Sequence, residues 1–367
     1  MTRTSFLRAR AQITAGAFLA ALLLAGPVAA ADQQIIAVVA PADGNFAILG
    51  NQIRDGARLA AGKDVALVEI AETCEPGSGP AIAEKIVEAG ARAAIGFLCT
   101  ESLEGTLPRL AEAKIPALTL SVRSPVLMAE ALKNGWPLFR LAPRPEQEMA
   151  LIEDTILKLW KDKPFALIDD GSILSRETVE TLRESLEAKG MKPMFIDTYR
   201  AAQETQMPLV RRLAKAGVTH VFVAGDRNDM AIITRDAASA QLGMHFLGGD
   251  AVNGADQPVP LTSGTLAVTL PGAETIASAQ PLVLALAKEG RVAEGYVVPA
   301  HAAIRLLIDA IEIADGSGAP LADAMVGTPF DTVLGSIMFG KDHALASNPF
   351  QLLEWDGKAF VSPKVSN

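Results

Sequence analysis

Short β-branched apolar runs alternate with amphipathic stretches of ten or more residues along almost the whole chain, and this rhythm restricts the fold more than any other feature. Gln34–Ala40 reads as a strand ending at Pro41, Leu49–Ala61 as a helix and Asp64–Ile70 as a second strand. Pro80–Ala89 then reads as a helix with Ala81, Ile82, Ile86 and Val87 on its apolar side and Gly90 closing it. Ala93–Leu98 is a third strand, Leu103–Ala113 a helix, Pro116–Leu120 a fourth strand and Leu138–Leu141 a short fifth. A joint at Pro143 and Pro145 follows, and the rhythm restarts with a helix at Gln147–Trp160. Strands at Phe165–Ile168, Met194–Asp197, His220–Val223, His245–Leu247 and Gly264–Leu270 alternate with helices at Arg176–Lys189, Met207–Ala216 and Asp229–Ala240. After Pro271-Gly272 come helices at Pro281–Glu289 and Ala293–Ile313, then a hairpin around Trp355-Asp356-Gly357. Strands separated by helices build βαβ units and parallel sheets. Two such series, with 367 residues to house, predict two α/β lobes and a cleft between them.

The N-terminus has the build of an export signal. Arg3, Arg8 and Arg10 precede an uncharged apolar run from Ile13 to Leu24, and Val28-Ala29-Ala30 fits a small-x-small cleavage site. The run is short for a membrane span. A signal peptide over residues 1–31 is therefore expected, with the mature protein soluble and outside the cytoplasm. Its removal takes away three arginines and no acids, so the net charge of −9 becomes −12. An acidic surface disfavours nucleic acid and anionic lipid as partners. Cys74 and Cys99 are the two cysteines; after export they can pair, or they stay as buried free thiols. A bridge closing a loop of roughly 25 residues would contribute about 3–4 kcal/mol.

Catalytic chemistry is hard to assemble from these residues. The four histidines, His220, His245, His301 and His343, show no metal-ligand spacing, and Cys-x-x-Cys and Gly-x-Ser-x-Gly are absent. Asp170, Asp226 and Asp250 stand at strand ends, where ligands dock on open α/β sheets, but without a nucleophile or a base partner. Ala93–Ser102 reads as a buried strand turning into a helix start. Backbone N–H groups there attract anions.

Several stretches carry a resemblance. Ile36 to Gly44 resembles an opening strand with a "P-x-S-G" turn, and Gly50 with Asp55-Gly56-Ala57 a "G…GA" helix. Ala71-Glu72-Thr73-Cys74-Glu75-Pro76 resembles "D-D-x-C-D-P", and Ile95 to Ser102 resembles "I-G-H-L-C-S-S-S". These are motifs of the type I periplasmic solute-binding proteins of ABC transporters, specifically the leucine/isoleucine/valine-binding family. The resemblance spans Ile35 to Trp355. It implies two Rossmann-like lobes joined by a multi-strand hinge, with lobe 1 at 32–142 and 275–348 and lobe 2 at 143–274 and 349–367. It also implies a Cys74–Cys99 disulfide.

By the same resemblance, Thr100 takes the ligand carboxylate, the loop Leu120–Pro125 supplies Ser121 and places Arg123 at a hydroxyl position, and Asp250 is the ammonium partner. Tyr296 matches an aromatic near the cleft. Two family aromatics fall on Leu174 and Asp226, which disfavours a branched aliphatic ligand and favours a more polar one. Arg123 and Asp226 then meet the ligand or each other, since an unpaired buried charge is costly, or Arg123 is a surface arginine or closes the lobes through a salt bridge. The implied role is a receptor that delivers an amino acid or related small polar solute to an inner-membrane permease, as a monomer without cofactor, metal or nucleic acid. A sensor docking on a signalling partner is the alternative, and an enzyme is a weaker one.

Overall fold

In the computed structural model, which describes residues 33–63, 65–254 and 258–363, the alternating rhythm forms two sheets. The expected export signal at 1–31 and Asp64, the expected start of the second strand, lie outside the described residues. The first sheet, sheet A, comes from β1 (Gln34–Ala40), α1 (Ala47–Ala61), β2 (Val65–Ala71), α2 (Gly79–Glu88), β3 (Ala93–Gly96), α3 (Thr100–Ala113), β4 (Ala117–Thr119), α4 (Pro125–Asn134) and β5 (Leu138–Arg140). Its strands run parallel in the order β2-β1-β3-β4-β5, with Ile36 flanked by Leu67 and Ala93. The second, sheet B, begins after α5 (Pro145–Leu159) with β6 (Phe165–Asp169), α6 (Ile173–Ala188), β7 (Phe195–Thr198), α7 (Met207–Lys215), β8 (His220–Ala224), α8 (Arg227–Ser239), β9 (His245–Gly248) and β10 (Leu266–Thr269). The chain then returns to sheet A through α9 (Gln280–Lys288), α10 (Val297–Ser317), α11 (Leu321–Met325) and the hairpin β11 (Phe330–Thr332) and β12 (Gly335–Ile337). Strands β13 (Gln351–Trp355) and β14 (Phe360–Val361) complete sheet B antiparallel at its edge, in the order β14-β13-β10-β9-β8-β6-β7.

Both faces of each sheet are covered, which is why the strands read as continuous apolar runs. Along β1, Ile36, Val38 and Ala40 pack with α1 and α10, while Ala37 and Val39 pack with α2 and α3. In sheet B, Ile168 and Val223 face α7 and α8, and Leu167 and Phe222 face α5 and α6. Three passages connect the sheets, after β5, after β10 and before β13. Two of them are sewn together: Arg140 N–H donates to His343 O at 2.9 Å, Arg144 Nη1 lies 3.0 Å from Asp342 Oδ2, and Asn348 Nδ2 donates to Gln147 O at 2.9 Å.

Some expected boundaries move. Strand β3 ends at Gly96, short of Leu98, because the backbone leaves the sheet through positive φ at Gly96 (110°) and Phe97 (57°). A Cβ on Gly96 would lie 2.0 Å from Val39 O, so only glycine fits. Helix α3 consequently starts early, at Thr100. Helix α10 starts late, at Val297, since Gly295 has φ +54° and Tyr296 caps the helix. Helix α4 was not expected, although Ser124 accepts from Leu127 N–H at 3.2 Å, Pro125 follows it and Gly135 ends the helix.

Candidate ligand-binding site

The carboxyl ends of the parallel strands in the two sheets face each other. The contact that establishes this is Arg123, in the loop after β4, donating from Nη2 to Asp250 Oδ2 after β9 at 3.2 Å. In open α/β sheets the carboxyl ends of strands hold ligands, most of all where the strand order reverses. Those points are β1/β3 in sheet A and β6/β8 in sheet B.

On the sheet A side, Cys74 and Cys99 form a disulfide with Cα atoms 5.3 Å apart. Cys99 caps α3, so the bridge ties the start of that helix to the loop after β2. Beneath it sits a residue to which the sequence reading gave no role. Glu72, 2% exposed, accepts from Leu98 N–H at 2.9 Å, from Cys99 N–H at 3.1 Å and from the Ser102 hydroxyl. Burial pushes its carboxyl up, against the pull of those donors. Its sequence signals were an acid placed at the end of an apolar strand and an acidic position of the motif around Cys74. With Glu72 holding the loop, Thr100 opens α3 half-buried, at an end whose first N–H groups have no partner within the helix. Such an end suits a carboxylate.

Next to it, Thr119 Oγ1 donates to Phe97 O at 3.1 Å and accepts from Val122 N–H at 3.0 Å, coupling the loops after β3 and β4. Ser121 Oγ accepts from Tyr296 Oη at 2.9 Å. Ser121, Arg123, Asp250 and Tyr296 line one cavity of about 970 Å³, which runs under the passages between the sheets past Leu141 and Pro271. Asp250 is heavily engaged. Its Oδ1 accepts from Thr269 Oγ1 at 2.8 Å, its Oδ2 takes Arg123, and its N–H donates to Glu148 Oε1 at 2.7 Å. Burial raises the Glu148 carboxyl; the Asp250 N–H opposes this, while the Asp250 charge adds to it. Arg123 thus meets Asp250, the expected ammonium partner, and not Asp226. A ligand ammonium reaching Asp250 has to share it with a guanidinium.

Thr100, Leu174 and Asp226 do not line that cavity. Leu174 lies in the first turn of α6, 75% exposed beside Ile173 at 78%. Asp226 caps α8, its Oδ1 accepting from Asp229 N–H at 2.9 Å. It stands at the β8 end, across from Asp169 and Asp170 at the β6 end. Asp170 Oδ1 accepts from Ser172 N–H at 2.9 Å; burial pushes its carboxyl up, but the bonds from Ser172 and Ser175 outweigh this and hold it low.

Residues 33–359 match the periplasmic binding protein family. The chain belongs to the periplasmic binding proteins. A Leu/Ile/Val-binding protein homolog from Brucella melitensis is 25% identical over 342 residues, covering 89% of this chain and 92% of that one. Among solved structures, a putative branched-chain amino acid ABC transporter protein from Rhodospirillum rubrum superposes with a TM-score of 0.74 at 13% identity, covering 90% of this chain and all (100%) of that one. The branched-chain amino acid transporter substrate binding protein of Streptococcus pneumoniae, in complex with isoleucine, gives 0.64 at 18% identity, with 90% and 100% covered. These structures share the two-lobed type I fold expected from the sequence. The family is one of solute-binding proteins and not of enzymes, and this chain is a member of it. Among the described residues no helix is long and apolar enough to cross a membrane.

Proposed function

We propose that this periplasmic binding protein is exported by cleavage of residues 1–31 and receives an amino acid or related small polar solute between its sheets for an ABC permease. Lobe 1 in this reading is 32–142 with 275–348, and lobe 2 is 143–274 with 349–367. One observation carries it: residues from the carboxyl ends of both sheets, Ser121 and Arg123 on one side and Asp250 on the other, line a single cavity and already touch across it. Thr100 and the α3 N-terminus take the carboxylate, Ser121 and Tyr296 wall the site, and Asp250, Asp226 and Leu174 face the rest of the solute.

A thermal-shift panel of neutral, acidic and basic amino acids, amides and simple carboxylates tests the reading. A true ligand at a hundred times its Kd stabilises by about 2.7 kcal/mol. Thr100→Ala weakens that ligand by about 1–3 kcal/mol through loss of a charge-assisted bond, with the free protein's stability almost unchanged. Well-folded protein that no panel member stabilises would overturn the reading, and equal affinity of the variant would remove Thr100 from the site.

A further inference from the structure

We propose that the sheet B end of the cleft recognises a cationic group, so that the solute carries an ammonium or guanidinium distal to its carboxylate; this deepens the reading above and rests on it.

The first observation is a group of carboxylates at the β6/β8 reversal. Asp169 ends β6 and Asp170 follows it, Asp226 follows β8, and Asp229 lies one helical turn on, 3% exposed. Arg176 approaches Asp169 at 3.8 Å, but among the described residues no lysine or arginine pairs with Asp170, Asp226 or Asp229. The α6 and α8 N-termini offset part of this charge, since Ser172 N–H donates to Asp170 and Asp229 N–H to Asp226, but neither helix end supplies a full positive charge.

The second observation is independent and lies under the same spot. Tyr199, directly after β7, is 3% exposed, yet its hydroxyl has no hydrogen-bond partner among the described residues. The phenol is aimed at the reversal. Its Oη sits 1.9 Å from where a Cβ on Gly225 would be, next to Asp226, so glycine alone leaves it room. Burial and then Asp229, Asp170, Asp226 and Asp169 push its proton loss far up, so the hydroxyl stays neutral with a lone pair to offer. A buried polar group left unpaired is costly and points to a partner outside the chain. Among these acids, a partner that donates N–H bonds to the phenol oxygen and bears positive charge fits best. An organic cation does both. A metal ion fits poorly, because no three of these carboxylates converge within 4.8 Å of one another.

The test is calorimetric titration of the full chain with L-lysine, L-arginine, L-norleucine and L-glutamate, repeated with Tyr199→Phe and Asp226→Asn. Asparagine still caps α8, and Tyr199→Phe removes only the hydroxyl. The proposal expects a basic amino acid to bind at least about tenfold tighter than norleucine. It also expects each variant to lose most of that preference while free-protein stability is kept, or raised in Tyr199→Phe. Norleucine or glutamate binding as tightly as the basic solutes would overturn the proposal and leave the receptor reading intact. A uniform loss of stability and of every affinity in Tyr199→Phe would also overturn it, by giving the phenol a purely structural role. Failure of all four to bind, with other panel members binding, overturns the proposal alone; failure of every panel member overturns the receptor reading with it.

Discussion

Glu72 shows how much one side chain can organise. It collects two backbone N–H groups and a hydroxyl under the loop that leads into α3. Glu72→Ala strands all three donors, and the urea midpoint of the oxidised protein is expected to fall by the equivalent of about 2–4 kcal/mol. Glu72→Gln, which keeps the shape, should lose clearly less, and equal midpoints for all three proteins would disprove the role. His220 offers a pH test. It lies against Trp160 and His245, with ring centroids 5.3 and 4.9 Å away. Burial, then His245 and Lys163, lower its pKa from 6.5 to about 4. The unfolded chain therefore takes up the proton first, so this stabilisation is complete above about pH 6.5 and is lost as pH falls towards 4. Wild type should lose more stability between pH 7 and pH 4.5 than His220→Phe, and parallel losses would contradict the assignment. At this scale the sequence was legible where a residue sat in a motif, as Cys74 and Cys99 did. The unpaired Tyr199 hydroxyl and the donors that Glu72 gathers, though Glu72 lies in a motif, were not legible, because burial and the absence or presence of partners are properties of the packed chain.

Elements were legible wherever periodicity ran long enough to declare itself. The parallel strands of both sheets, and helices such as α7 and α8, lie where the apolar pattern puts them. Boundaries moved where the backbone takes left-handed turns, at Gly96-Phe97 and Gly295, because a single residue there ends a strand or delays a helix. The stretch from α11 through β12 stayed unread because its pieces are too short to establish a period. Helix α4 opens on Ser124-Pro125, a plain helix signal that also closes the loop Leu120–Pro125, so the two readings overlap in sequence. The glycine of α1 at position 56 has a specific packing role. A Cβ there would lie 2.1 Å from Val297 O and 2.9 Å from the Ala300 Cβ, so α1 and α10 approach backbone to backbone. Gly56→Ala gains helix propensity of about 1 kcal/mol, yet it forces the two helices apart. A net destabilisation of about 2–4 kcal/mol is expected in denaturant melts, and a stabilised variant would refute the close approach.

For the whole molecule, repetition of one βα rhythm on either side of a proline joint made two sheets and an intervening cleft readable in advance. The contents of the cleft were only partly so. Matching motifs brought Ser121, Arg123, Asp250 and Tyr296 to one cavity, whereas the pairing of Arg123 with Asp250, and not with Asp226, depends on how the sheets meet. The central claim is that a small solute is held between the carboxyl ends of both sheets at once. Hydrogen exchange followed by mass spectrometry, with and without the solute that raises the melting temperature most, tests it directly. The account predicts slower exchange in two regions far apart in sequence, around residues 97–103 and 120–123 in sheet A and around 170–174, 225–229 and 249–252 in sheet B. Protection confined to one sheet, or appearing only away from these strand ends, would contradict it.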